Sequence, residues 1–252
     1  VEKSRRRIEG LRLFMDVGAE QQRSGEAGET NEENLLISVR EQNTGRMYFG
    51  GGFGSDYGGF GHVVLSQENF DIGRWRRPHF LQGAGQKIRL RLQAGGRYND
   101  YGLDFEEPWF MGRKLRFTTS LFARELQYFS TKFDAEETGA RFGLERVLFG
   151  NDFLRGNVKY TIENTGLVDV DSSASTEIKN DAGTDLISQV EMGIAYDTRG
   201  GGELPTRGQR TSVNLNVAPD FLGSEKEFYG FHLKSEWYRK GWGEGHVIEL
   251  RG

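Results

Sequence analysis

The sequence predicts a mostly β protein whose antiparallel strands cross a bilayer, preceded by a short α/β segment. Three observations carry this. Gly is 36 of 252 residues and Pro only 4, while aromatics reach 12% although hydrophobic residues total 36%. Such a chain fits sheets with one wet face better than a densely filled α/β core. From Arg46 onward apolar and polar residues alternate, the period of strands whose successive side chains point to opposite faces. The polar positions carry full charges in mid-strand, as in Ile88-Arg89-Leu90-Arg91-Leu92 and Val158-Lys159-Tyr160.

The elements follow in order. Val1–Phe14 places Ile8, Leu11 and Phe14 three apart among basic residues, which predicts a short amphipathic helix. A strand is expected over Met15–Gln22, a Gly/Glu/Asn-rich turn over Ser24–Asn34, and a second strand over Leu35–Glu41 that ends at Gln42-Asn43-Thr44-Gly45. This has the form of the last half of a small α/β module, then a junction. Seven segments then alternate clearly: Lys87–Ala94, Tyr101–Glu106, Leu115–Ala123, Val158–Glu163, Gln189–Tyr196, Ser212–Val217 and Tyr229–Trp237. Fainter ones at Arg46–Gly54, Gly58–Ser66, Glu137–Val147 and His246–Gly252 bring the total to about eleven strands.

Two architectures use this pattern. A soluble sandwich would bury the apolar faces against each other. A transmembrane barrel would turn them to lipid and keep the charged faces in a polar lumen. Charged mid-strand positions favour the barrel, as do segments near the ~9–11 residues that cross a bilayer at a tilt. Aromatics also crowd the strand ends: Trp75, Trp109, Phe110, Phe149, Phe153 and Trp242 at one set of turns, and Tyr57, Tyr98, Tyr128, Phe129 and Phe221 at the other. Thr165–Asp185 is long and acidic, as an external loop would be, while Trp109–Gly112, Thr198–Arg207 and Lys240–Gly245 are short turns. The long connection Gln67–Gln86, with Trp75, Arg76, Arg77 and His79, is expected to lie at the membrane interface.

Composition narrows the function. A formal charge of -4 gives no global reason to expect nucleic acid. With no Cys there is no disulfide, thiol nucleophile or Cys-based zinc site. Val1–Gly10, with Arg5, Arg6 and Arg7, has no signal-peptide core, and no window approaches the ~20 apolar residues of a spanning helix. The chain starts without Met and ends within a strand-like pattern, as part of a longer protein would. His62, His79, His232 and His246 make no HExxH spacing, no G-x-S-x-G occurs, and Asp169, Asp171 and Asp181 lack calcium-loop spacing. No catalytic residue, metal or cofactor is therefore assigned, and an enzyme is not expected.

Three motifs carry a family resemblance. Val39-Arg40-Glu41-Gln42-Asn43-Thr44-Gly45 stands at the junction, Asn99–Phe110 ends in Glu107-Pro108-Trp109-Phe110, and Asp197-Thr198-Arg199 precedes Leu204-Pro205-Thr206-Arg207-Gly208. In this order they resemble the BamA family of outer-membrane-protein assembly factors. The motif positions carried over are Gln42, Asn43, Thr44, Gly45, Glu107, Pro108, Asp197, Arg199, Pro205, Thr206 and Gly208. The resemblance implies that residues 1–43 end the last POTRA domain, on the periplasmic side. Residues 44–252 would then be the first part of an outer-membrane barrel of about sixteen strands, within the even counts of such barrels.

The resemblance further implies a machine that folds and inserts β-barrel proteins. Its partners would be nascent outer-membrane proteins, accessory outer-membrane lipoproteins and the lipid bilayer. Its lateral gate would be the first strand, Arg46, Met47, Tyr48, Phe49, Gly50, Gly51, Gly52, Phe53 and Gly54, pairing through its backbone. Gly there suits either a gate that opens or the relief of crowding. The alternatives are a related POTRA-barrel translocation channel and a passive porin; the α/β-like head argues against the porin.

Overall fold

The structure, a computed structural model, describes residues 5, 8, 13–23, 33–54, 58–74, 82–127, 132–200, 205–243 and 245–252. The helix expected over Val1–Phe14 falls largely outside them; Arg5 and Ile8 are helical, and Phe14 already belongs to a strand. β1 (Phe14–Arg23) and β2 (Glu33–Glu41) pair antiparallel, with Val17 opposite Val39 and a register shift next to Phe14.

The remaining strands make one antiparallel sheet. They are β3 (Gly45–Gly54), β4 (Gly58–Phe70), β5 (Gln86–Gly95), β6 (Tyr98–Glu107), β7 (Leu115–Gln127), β8 (Asp134–Val147), β9 (Leu154–Val168), β10 (Gly183–Asp197), β11 (Gly208–Ala218), β12 (Phe228–Lys240) and β13 (Val247–Arg251). Each lies beside its neighbours in sequence, so the sheet runs from β3 to β13 without a crossover and those two strands are its edges. The chain divides into two compact units, Val1–Arg46 with Ser66–Lys87, and Met47–Leu65 with Ile88–Gly252.

Register sorts the side chains into two faces. Phe117, Leu144, Val158, Met192, Leu215 and Phe231 stand opposite one another across successive strands, as do Leu103, Leu121, Ala140 and Ile162. This apolar face is uncovered: Leu121 is 48% and Phe231 65% exposed. Among the described residues the buried hydrophobic ones are Val17, Phe122, Ala174, Ile187 and Ala218, too few for the core of a sandwich. Leaving a large apolar side chain in water forgoes about 1.5–3 kcal/mol, so the whole face would forgo on the order of tens of kcal/mol. The face is built for hydrocarbon. No described helix is long and apolar enough to cross a membrane; the strands, mostly 10 to 15 residues, have the length to do so.

Strand ends depart from expectation where polar residues continue a ladder. Leu167 pairs with Gly183 and Thr165 with Asp185, so the connection expected over Thr165–Asp185 shrinks to residues 169–182, with a short helix at Thr176–Asn180. Polar side chains leave the apolar band before the backbone stops pairing. The two-residue connection Gly96-Arg97 shares an end with that loop, so loop length separates the two ends less cleanly than the sequence suggests. Trp109, Phe149, Phe153 and Trp242 are exposed at the end opposite that loop, and Phe221 at the loop's own end. Trp75, Tyr57, Tyr128 and Phe129 lie outside the described residues. Within the first unit the long connection is anchored at both ends: Asn69 accepts from the N–H groups of Gly83 (3.0 Å) and Gly85 (2.9 Å), and the Gln86 side chain accepts from Ile72 N–H (2.7 Å).

The face assignment predicts that Leu121→Arg, on the outward face, costs about 2–4 kcal/mol of stability in a bilayer. Asn216→Arg, on the inward face opposite Gly230, should cost less than about 1 kcal/mol. Denaturant unfolding of the full-length protein in lipid vesicles measures both.

Candidate functional site

All nine residues of the expected gate lie in β3, an edge of the sheet. Among the described residues it pairs with β4 alone, leaving a row of backbone donors and acceptors on its other side. Met47, Phe49 and Phe53 share the outward face, with Phe49 79% and Phe53 87% exposed. Arg46, Tyr48, Gly50, Gly52 and Gly54 share the other face, where Arg46 pairs with Glu68 at 3.5 Å. There the rings of β4 lie across the glycines. A Cβ on Gly50 would come within 2.8 Å of the His62 imidazole, and one on Gly52 within 3.0 Å of the Phe60 ring. Phe60 and His62 are themselves stacked, with centroids 6.3 Å apart. The β3 glycines therefore relieve crowding by β4.

The junction residues are fixed locally. Gln42 N–H donates to the Leu13 carbonyl (3.1 Å), and the Asn43 side chain accepts from Gly45 N–H (3.0 Å). Thr44 is buried, and its carbonyl accepts from Glu68 N–H (3.2 Å). These contacts turn the chain out of β2 and into β3.

The inward face carries cross-strand ion pairs. Arg91 reaches Asp100 (3.7 Å) and Asp104 (3.4 Å), and Arg124 reaches Asp100 (3.4 Å) and Glu137 (3.1 Å). Glu145 takes Arg116 (3.0 Å) and Arg155 (3.2 Å), and Lys159 meets Glu191 (2.9 Å). Phe122 departs from the alternation: it points inward, 5% exposed, with the guanidinium carbons of Arg124 and Arg141 about 5 Å from its ring centre.

The turn motifs gather at one end of the sheet. Asp197 holds Arg199 through both carboxylate oxygens (3.0 and 2.8 Å) and accepts from its backbone N–H (3.1 Å). This hydrogen bonding keeps the Arg199 guanidinium above its ordinary pKa. Arg199 also donates to Glu236 of β12 (3.2 Å), which meets Lys234 (2.8 Å) and Arg251 of β13 (3.6 Å).

Gly208 has φ +100°, and a Cβ there would strike the Thr198 carbonyl, so the motif needs Gly at this position. Pro205 and Arg210 line an inward recess of about 670 Å³ beside Arg199. In the other motif, Glu107 accepts from Trp109 N–H (2.9 Å) after Pro108, and Phe110 stacks on Phe117 at 4.9 Å. Sequence reasoning did not identify Glu236 as the hub of this network. The signal available was a carboxylate in mid-strand next to Lys234, but the cations that converge on it come from three elements.

The Omp85 superfamily domain matches residues 81–250. The outer membrane protein assembly factor BamA of Neorickettsia risticii is 26% identical over 198 residues, covering 76% of this chain and 24% of that protein. BamA of Nitratidesulfovibrio vulgaris is 24% identical over 237 residues, covering 91% of this chain and 28% of that protein. The chain thus spans about a quarter of the length of these curated relatives. The crystal structure of BamA from Haemophilus ducreyi lacking POTRA domains 1–3 superposes with a TM-score of 0.68 at 16% identity, over 99% of this chain and 47% of that one.

Arg199→Lys keeps the charge but loses the bidentate fork. It and Glu236→Gln should each lower the midpoint of denaturant unfolding of the full-length protein. The double variant should lose less than the sum, as groups of one network do. Strict additivity of the three midpoints would show that Arg199 and Glu236 act separately.

Proposed function

Because this chain belongs to the Omp85 superfamily, we propose that it forms part of an outer-membrane protein assembly factor of the BamA kind. In this reading residues 44–252 are the first strands of its barrel, and residues 1–43 are the end of a periplasmic POTRA domain. The observation that carries the reading is β3. It is an edge strand with outward apolar residues and an inward face reduced at Gly50, Gly52 and Gly54 to backbone. A strand arriving at that edge gains main-chain hydrogen bonds whatever its own inward side chains are. Such pairing needs neither nucleotide nor catalytic residue, and it serves many client barrels through one edge. The strands that would close the barrel against β3 in the resting state lie in the rest of the protein. Accessory lipoproteins and nascent outer-membrane proteins are the partners of the same proposal.

The test joins a cysteine at Phe49, on β3, to one in the last strand of the intact barrel. Disulfide formation should abolish insertion of a client barrel into vesicles, and reduction should restore it. Undiminished insertion by the crosslinked protein would overturn the gate while leaving membership of the superfamily intact.

A further inference from the structure

The outward face is not uniformly flat. Between β7 and β11, toward the end that carries Trp109, Phe149 and Trp242, it holds a recess of about 520 Å³. That volume falls within the ~300–1,000 Å³ of sites that hold small molecules. Its walls are Leu144, Val158, Met192, Ile194 and Leu215. Gly156 opens the recess, and the Leu148 side chain lies across it, 3.0 Å from where a Cβ would stand.

Arg146 borders the recess. By register it stands on the outward face, opposite Leu115 on one side and Gly156 on the other. It is exposed, and among the described residues it has no carboxylate partner, unlike the paired arginines of the inward face. It is the last outward residue but one before the turn that exposes Phe149, at 94%, and Phe153. Aromatic side chains of this kind mark the headgroup level, where an arginine stem runs along apolar surface while its charge reaches the polar layer.

The geometry points to a phospholipid site, with an acyl chain in the recess and the lipid phosphate on Arg146. The occupant is anionic because, among the described residues, the one charged group at the rim is a guanidinium with no carboxylate partner, which binds phosphate through two parallel N–H donors. Arg239 supplies the internal contrast. It too is exposed on the outward face near the same end, opposite Ile248, but it does not border the recess.

The experiment is native mass spectrometry of the full-length protein in detergent, incubated with phosphatidylglycerol or with phosphatidylcholine of the same chains. The wild type should retain phosphatidylglycerol in preference. Arg146→Gln should lower that retention about fivefold, what one arginine contributes at an anionic surface. Gly156→Leu fills the recess against a flexible side chain and should lower retention of both lipids. Arg239→Gln should leave both unchanged. Equal loss in the Arg239 and Arg146 variants would reduce the effect to general interfacial charge and overturn the site. So would unchanged retention in the Arg146 variant, provided its heat-shifted gel mobility shows a folded barrel.

Discussion

Every backbone N–H and C=O that enters hydrocarbon must find its partner within the protein, since an unpaired group there costs several kcal/mol. The large sheet is organised by that requirement. β8 and β9 pair in unbroken register from Asp134 opposite Val168 to Val147 opposite Arg155, and β9 and β10 from Leu154 opposite Tyr196 to Leu167 opposite Gly183. Unbroken register enforces strict alternation, and alternation divides the side chains into one face for lipid and one for water. The pairing also explains why only neighbours in sequence are neighbours in space: hairpins are the shortest way to satisfy both sides of a strand.

The inward charges are a consequence of this arrangement more than its support. Arg91, Arg116, Arg124 and Arg141 keep about a third of their side-chain surface exposed. Pairs of that kind contribute about 0–1 kcal/mol each. Their role is to let long, charged side chains line a water-facing wall without leaving carboxylates or guanidinium groups unmatched. Phe122 shows the same economy with an apolar residue. It stands opposite Gly139 and Gly102, which set no side chain of their own beside it, and two guanidinium groups cover its ring. Arg199 differs because Asp197 fixes it bidentately within the turn before it reaches Glu236, so one side chain couples the β10–β11 turn to β12.

The strands were legible because period two is imposed by backbone geometry and survives in the sequence wherever one face is apolar. Each of the eleven segments from Arg46 onward is a strand. What failed were the ends: Asn164, Thr165 and Gly166 have the composition of a loop although their backbone still pairs with β10. Phe122 has Arg124 two residues along its own strand, but only register brings Arg141 of β8 to its ring. The Asp197-to-Gly208 motif was legible as a turn. Its connection to Glu236 was not, because pairing between strands places residues far apart in sequence side by side.

The glycines of β3 were open to two readings, and their surroundings connect the two. Gly50 and Gly52 make room for His62 and Phe60, so side chains from β4 cover the inward surface that β3 would otherwise fill itself. As a result β3 contributes almost no inward side chains of its own over Gly50–Gly54. Over Gly50–Gly54 a second strand at its free edge would meet backbone and the outward Phe53, with Phe49 and Met47 on the same outward face before it. Main-chain hydrogen bonds are the same for every sequence, whereas cross-strand side-chain pairs discriminate by roughly 0.2–1 kcal/mol each. Removing the inward pairs therefore removes selectivity together with part of the binding energy. Crowding relief on the β4 side follows from Gly50 and Gly52, and these two with Gly54 leave the inward side of the strand as bare backbone, which the proposed gate would use. In the proposed gate, an edge that accepts many strands and holds none of them permanently would use that combination.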